Sequence, residues 1–361
     1  MQGTIMKKLS KCLFLLAFLI LFAALNVDDA YALEKTGQCG ENVYWELDRS
    51  TETLTISGTG PMYDYLSVQS PFANLGYGAV EKVVISEGVT YVGMGTFQKS
   101  NSLKSVTIAD SVTSIGSFAF EYDPIKEITF GKNLESIGTM AFAHCTSLEN
   151  VELPDHISEL GSMLFYNCGS LKSVKLPEKL ETLDLGVFSG AISIEKITIP
   201  KNCKKIKGVI NSCKIINSGI YAMKEYEVDS ENAYFKSVDG VLYNTKMTTL
   251  VAYPPAKKSA SYTVNAKTTT IQEYAFANSR FLKTLNLGAK IKKVGKYAFI
   301  DASAIKSIKL KGKCPSFTSP QSNGGDAITI YYKKKYQSNY RKLADKASSI
   351  FGRTITVKKS K

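Results

Sequence analysis

Apolar residues in this chain recur at intervals too long for one face of a helix and too regular for chance. From Val80 onward the sequence divides into segments that open VEKVVI, LKSVTI, IKEITF, LENVEL, LKSVKL and IEKITI. Their leading residues, Val80, Leu103, Ile125, Leu148, Leu171 and Ile194, are spaced 23, 22, 23, 23 and 23 residues apart. A phenylalanine follows in the first five, at Phe97, Phe120, Phe142, Phe165 and Phe188, and Phe276 and Phe299 repeat the 23-residue interval later. In LKSVTI, Leu103, Val106 and Ile108 fall on one side and Lys104 and Thr107 on the other, the alternation of a half-buried strand. A second apolar pair follows, Val112 and Ile115 in one segment, Leu134 and Ile137 in the next. Gly116, Gly138 and Gly161 come directly after it, where a turn of positive φ is expected. So short a strand cannot bury itself, and each segment is expected to stack on the next.

A period of roughly 20–29 residues around an L-x-x-L-x-L core predicts a leucine-rich-repeat β-solenoid. The expected repeats cover 80–315. Residues 33–79 depart from the period: VYWEL and TLTIS flank DRSTE and predict a β-hairpin cap, with Trp45, Leu47, Leu54 and Ile56 laid over the open first coil. The register breaks again before Tyr274. There VLYN and TTLVAY, around Thr245–Met247, predict a second hairpin inserted near 214–261 without ending the solenoid. In 316–361, ITIYY and TITV bracket Tyr336, Tyr340, Leu343, Ala347 and Ile350, whose spacing marks one helix face. A basic β-α-β cap is expected there. At the other end Lys7, Lys8 and Lys11 precede an apolar run from Leu13 to Leu25, and Ala30-Tyr31-Ala32 supplies small residues before Leu33. Residues 1–32 therefore read as a secretory signal peptide, leaving an extracellular protein, secreted or held at the cell surface, with no membrane span after cleavage.

GQCGENVYWELDRSTETLTISGTGPM, coils of the VTSIGSFAF type, SVDGVLYN with TTLVAYP, and KGKCPSF before ITIYY resemble the BspA-like leucine-rich-repeat surface proteins. The resemblance covers essentially all of residues 37–357, and the coil motif repeats about eight times. It implies a curved or twisted solenoid exported by host-associated microbes. Its implied use is adhesion, including attachment to host matrix proteins or to other microbes. The sixth coil departs from the pattern, with Asn211 following Ile210 where an aromatic is expected one residue on.

Charge sharpens this picture. The formal net charge is +13, yet residues 256–361 hold 23 Lys+Arg against 4 Asp+Glu, and residues 33–255 hold 19 against 26. Lys290, Lys292, Lys293, Lys309, Lys311, Lys333, Lys334 and Lys335 are the expected contacts to anionic wall polymers or sulfated glycans. The outward strand positions, Lys104, Thr107, Lys126, Thr129, Glu149, Glu152, Lys172 and Lys175, are the candidate binding face for host extracellular-matrix or cell-surface proteins. Solubility alone also accounts for such a charged row. Nucleic acid is not an expected partner, since export and the absence of a recognition motif argue against it.

Chemistry has little to work with. Of seven cysteines, Cys145, Cys168 and Cys213 hold one slot, three residues after Phe142, Phe165 and Ile210. They are expected as stacked core thiols; the alternative is a Cys145–Cys168 disulfide, stacked strands lying ~4.8 Å apart. Cys39, Cys203 and Cys314 show no pairing pattern. The two histidines, His144 and His156, form no dyad, because His144 and Cys145 are neighbours on extended chain and point apart. SNGGD (322–326) resembles part of a calcium-binding turn and reads as loop, while Asp229, Glu231 and Asp239 are the calcium candidates of the insert. No cofactor is expected. The reading is an adhesin, not an enzyme; the alternatives are a wall component with no specific ligand and an enzyme with its site in the insert.

Overall fold

A computed structural model describes residues 36–65, 70–74, 80–207, 222–319, 327–352 and 354–360. The expected signal peptide with Cys12, the Ile210–Asn211 irregularity, Cys213 and the SNGGD segment lie outside the described residues.

The chain coils as a β-solenoid. In one coil, Ser105–Ile108 and Ser114–Ile115 form two short strands. Val106 pairs with Val83 before it and Ile128 after it, in parallel. Ile115 sits likewise between Val92 and Ile137. One coil is thus one register step, and the 22- or 23-residue interval in sequence becomes a ladder in space. The inward set is buried as its alternation requires: Leu103, Val106, Ile108, Val112 and Ile115 are at most 3% exposed.

The third side of each coil carries the phenylalanines. Phe97, Phe120, Phe142, Phe165 and Phe188 stack in one file with ring centroids 5.2, 5.3, 6.0 and 6.1 Å apart. Phe72 and Trp45 extend the file toward the N-terminus. The backbone there is not strand, but it is still hydrogen-bonded from coil to coil: the amide of Phe97 donates to the Ala119 carbonyl at 2.8 Å and that of Phe120 to Ala141 at 2.9 Å.

One expectation about this turn is corrected. Gly116, Gly138 and Gly161 do not adopt positive φ; Phe118, Met140 and Met163 do, at 58°, 53° and 55°. The glycines serve closeness instead. A Cβ on Gly116 would lie 2.5 Å from the Met94 nitrogen, and one on Gly161 only 2.2 Å from the Gly138 carbonyl. The coils touch backbone to backbone here, so a side chain has no room.

Two antiparallel meanders interrupt the parallel ladders. At the N-terminus Thr36–Gly40, Val43–Asp48 and Thr53–Gly58 pair in turn, and the last runs parallel to Lys82–Ile85. Trp45, Leu47, Leu54 and Ile56 are buried. The internal meander does the same: Phe235–Val238, Val241–Asn244 and Thr249–Ala252 pair in turn, and the last runs parallel to Thr270–Ile271. It starts a second set of ladders, and the buried side chains divide there into two clusters. Leu242 and Val251 pack with the first, Val241, Tyr243 and Leu250 with the second. The meander is therefore a septum buried on both faces.

The second set runs through Thr284–Leu287, Ser307–Leu310, Ile328–Tyr332 and Ile355–Lys359, all parallel. The helix Gln337–Phe351 connects the final two strands. Tyr340, Leu343 and Phe351 are buried, and Phe351 stacks on Phe299 at 6.1 Å. No helix among the described residues is long and apolar enough to cross a membrane.

Candidate interaction surface

Alternation along each leading strand fixes what faces solvent. Lys104, Thr107, Lys126, Thr129, Glu149, Glu152, Lys172 and Lys175 are all exposed. They lie in register from coil to coil, Thr107 beside Thr129 and Glu152 beside Lys175. Charge on this face is largely self-matched. Lys104 pairs with Glu81, Lys172 reaches Glu149 at 2.7 Å, and Lys175 reaches Glu152 at 2.7 Å. Further rungs follow, Lys224 to Glu195 at 2.6 Å and Lys196 to Glu227 at 3.0 Å. The Glu152 hydrogen bond, with Asp155 nearby, raises the Lys175 ammonium above its ordinary value. Exposed pairs of this kind contribute only ~0–1 kcal/mol each. They fix side-chain positions more than they stabilise. The uncharged Thr107 and Thr129 complete the row with Lys126, for which no ion pair is found among the described residues.

The C-terminal lysines are divided between faces. Lys290, Lys292, Lys293 and Lys311 lie at the turn between the two ladders and the strand beyond it; Lys309 lies on the leading face beside Asn286 and Tyr331. Lys333, Lys334 and Lys335 follow the strand Ile328–Tyr332, at the start of the chain leading to the helix. No ion pair to any of these is found among the described residues.

The cysteine column behaves as a core. Cys145 and Cys168 are buried free thiols, whose Sγ atoms donate to the Phe120 and Phe142 carbonyls at 3.3 and 3.0 Å. Burial pushes the Cys145 thiol well up, and Cys168 adds to it. His144 faces away from this column. Its ring stacks on Tyr122 at 4.0 Å and meets the edge of Tyr166 at 5.2 Å. Desolvation lowers its pKa, against a weaker upward pull from Glu121. The calcium candidates are not gathered: Asp229 accepts the Glu231 amide at 2.8 Å, and Asp239 pairs with Lys257 at 3.0 Å. Among the described residues no three histidine, cysteine, aspartate or glutamate side chains are grouped to hold a metal ion.

One residue escaped the sequence reading. Asp123 occupies the interior slot three residues after Phe120, held by Ser100 and Cys145 in the neighbouring coils. It is 0% exposed; Oδ1 accepts the Ser100 amide at 2.7 Å, and Oδ2 has no partner. Lining up the coils by their phenylalanines exposes it, as an acid in a column of small residues.

Stacked coils, each with two parallel strands and an inward apolar ladder, define a leucine-rich-repeat solenoid. The chain belongs to the BspA type leucine-rich-repeat family, whose profile matches residues 71–130, 115–234 and 255–322. Several solved structures share the fold. The pneumococcal vaccine antigen PcpA is 20% identical, with 90% of this chain and 100% of that one covered and a TM-score of 0.57. A leucine rich cell surface protein from Faecalibacterium prausnitzii is 19% identical, covering 89% and 94%, with a TM-score of 0.57. A leucine-rich repeat protein from Eubacterium ventriosum is 21% identical, covering 82% and 78%, with a TM-score of 0.54. No curated protein matches the chain.

Proposed function

We propose that this protein is exported and acts as a surface-interaction protein, an adhesin that binds host matrix proteins or other macromolecules through its repeat face. The observation that carries the reading is the in-register exposed row from Lys104 to Lys175 on a backbone locked by glycine closeness and stacked phenylalanines. Such a face is rigid, and its outward residues change without disturbing the core. Rigidity reduces the ordering cost of binding a large partner. One protein of similar fold is named a cell surface protein, which accords with the reading.

The test is saturable binding of the full protein to immobilised host matrix proteins. Replacing Thr107 and Thr129 by arginine, which sets bulk and charge across the first two coils of the row, is expected to weaken binding about tenfold, as loss of a well-packed contact does. Binding that never saturates on any matrix protein, or that ignores both substitutions, would overturn the reading.

A further inference from the structure

The basic half carries a second feature that the leading face does not explain. Thr270, Lys293 and Ser316 pair in register on one ladder, and Thr263, Asn286 and Lys309 on the other. The turns between the ladders therefore correspond residue for residue in three successive coils. Lys267, Lys290 and Lys313 hold one turn position, and all three are exposed. With strands stacked ~4.8 Å apart, this file of ammonium groups runs about 10 Å along the solenoid axis. Lys292, Lys293 and Lys311 flank it, also exposed.

The same turn in the first half is built differently. The residue before the equivalent position is Glu87, Asp110, Lys132, Asp155, Glu178 and Lys201 in successive coils. These make rungs of matched charge: Lys132 meets Asp110 at 2.5 Å and Lys201 meets Glu178 at 3.1 Å. In the basic half that position holds Ala266, Ala289 and Gly312. The acids are gone where the lysines line up. Like charges on neighbouring rungs repel, so the arrangement costs the fold something that matched rungs would avoid.

We infer that the turn face formed by Lys267, Lys290, Lys292, Lys293, Lys311 and Lys313 is a docking site for a sulfated polysaccharide. A straight file of cations fits a linear polyanion better than a compact one. Thr269, Thr270 and Ser316 on the adjoining rungs place hydroxyls beside the lysines; those of Thr269 and Ser316 donate to the Thr248 and Lys292 carbonyls at 3.2 Å, which leaves their oxygens to accept from sugar hydroxyls between the charged groups. Lysine meets each sulfate as a point charge, which gives strong salt dependence and tolerance of sequence along the polymer. This assignment is independent of any protein bound by the leading face.

The experiment uses immobilised heparin and the full protein at low and raised salt. Two variants remove equal charge from different faces. One carries Lys290→Gln, Lys292→Gln, Lys293→Gln and Lys313→Gln; the other carries Lys283→Gln, Lys306→Gln, Lys358→Gln and Lys359→Gln along the leading ladder. All eight lysines are exposed, and a matched melting temperature checks folding. The first variant is expected to bind about tenfold more weakly, and the second within about twofold of the parent, because counterion release is counted at the contacting lysines only. Equal losses would reduce the effect to net charge and overturn the site. So would unsulfated hyaluronan binding as well as heparin, or inorganic polyphosphate binding more tightly, or retention that survives ~0.5 M salt. Heparin binding without matrix-protein binding keeps this site and removes the adhesin reading; the converse result does the opposite.

Discussion

Asp123 shows what one residue does when a solenoid forces it into a slot meant for something small. Its neighbours in the column are Ser100, Cys145 and Cys168, all content to donate to a carbonyl three positions back or one coil away. A carboxylate cannot do that. Burial pushes the Asp123 carboxyl well above the usual range, with Glu121 adding to the rise and the Ser100 amide opposing it. The folded state therefore favours the protonated acid. Below the unfolded value of about 3.9 both states hold the proton and the residue's contribution is intact. As pH rises toward the folded value the unfolded chain ionises first, and stability is lost. Asp123→Asn keeps an oxygen for the Ser100 amide and removes the titration. The variant is expected to melt higher than the parent at about pH 7, with the gap closing near pH 3.5. Melting curves at the two pH values decide it; an equal offset at both would mean the carboxyl is not the cause.

At the scale of the element, the coil is held by closeness, and glycine permits it. Gly161 sits with its Cα against the Gly138 carbonyl, whereas Gly169, later in the same coil, would place a Cβ with nothing within 4 Å. Gly161→Ala is therefore expected to cost ~1–3 kcal/mol, as overpacking against backbone does, and Gly169→Ala to stay within about 0.5 kcal/mol. Denaturant titration of the two variants separates them, and equal stabilities would refute the backbone-contact account. The coil itself was legible in sequence, because its period and inward set are printed in apolar residues: Leu103, Val106, Ile108, Val112, Ile115 and Phe120 are buried as their spacing demands. The role of Gly161 was not. A glycine reads alike whether it supplies positive φ or makes room, and the choice depends on a neighbouring coil 23 residues away. The left-handed positions went instead to Phe118, Met140 and Met163, where nothing in the residue type signals them. Of the candidate face, the exposure of Lys104 to Lys175 followed from alternation. Their pairing with Glu81, Glu149 and Glu152 also sat in the sequence, at offsets of one coil, and emerged only when the coils were laid side by side.

At the scale of the whole molecule, the internal meander decides whether this is one solenoid or two joined ones. The first-half strands alternate, but Val241, Leu242 and Tyr243, and Leu250, Val251 and Ala252 opposite them, are apolar and buried without a break. An unbroken apolar strand is one covered on both faces. Here the covers are two different cores. Leu242 and Val251 pack with the first, Val241, Tyr243 and Leu250 with the second, and the Gln272 side-chain amide reaches the Ile206 carbonyl at 3.1 Å across the junction. In a quasi-one-dimensional stack each unit depends on its neighbours, so damage spreads outward from where it is made. Leu242→Ala and Leu250→Ala remove equal volume from opposite faces of one hairpin, at a cost of ~2–5 kcal/mol each. The first is expected to lower amide protection chiefly in 182–207 and 225–228, and the second chiefly in 261–310. Hydrogen exchange read by peptide mass distinguishes them. If both variants lowered protection uniformly from 82 to 359, the two cores would be one cooperative unit, and the septum a packing detail without consequence for how the molecule opens.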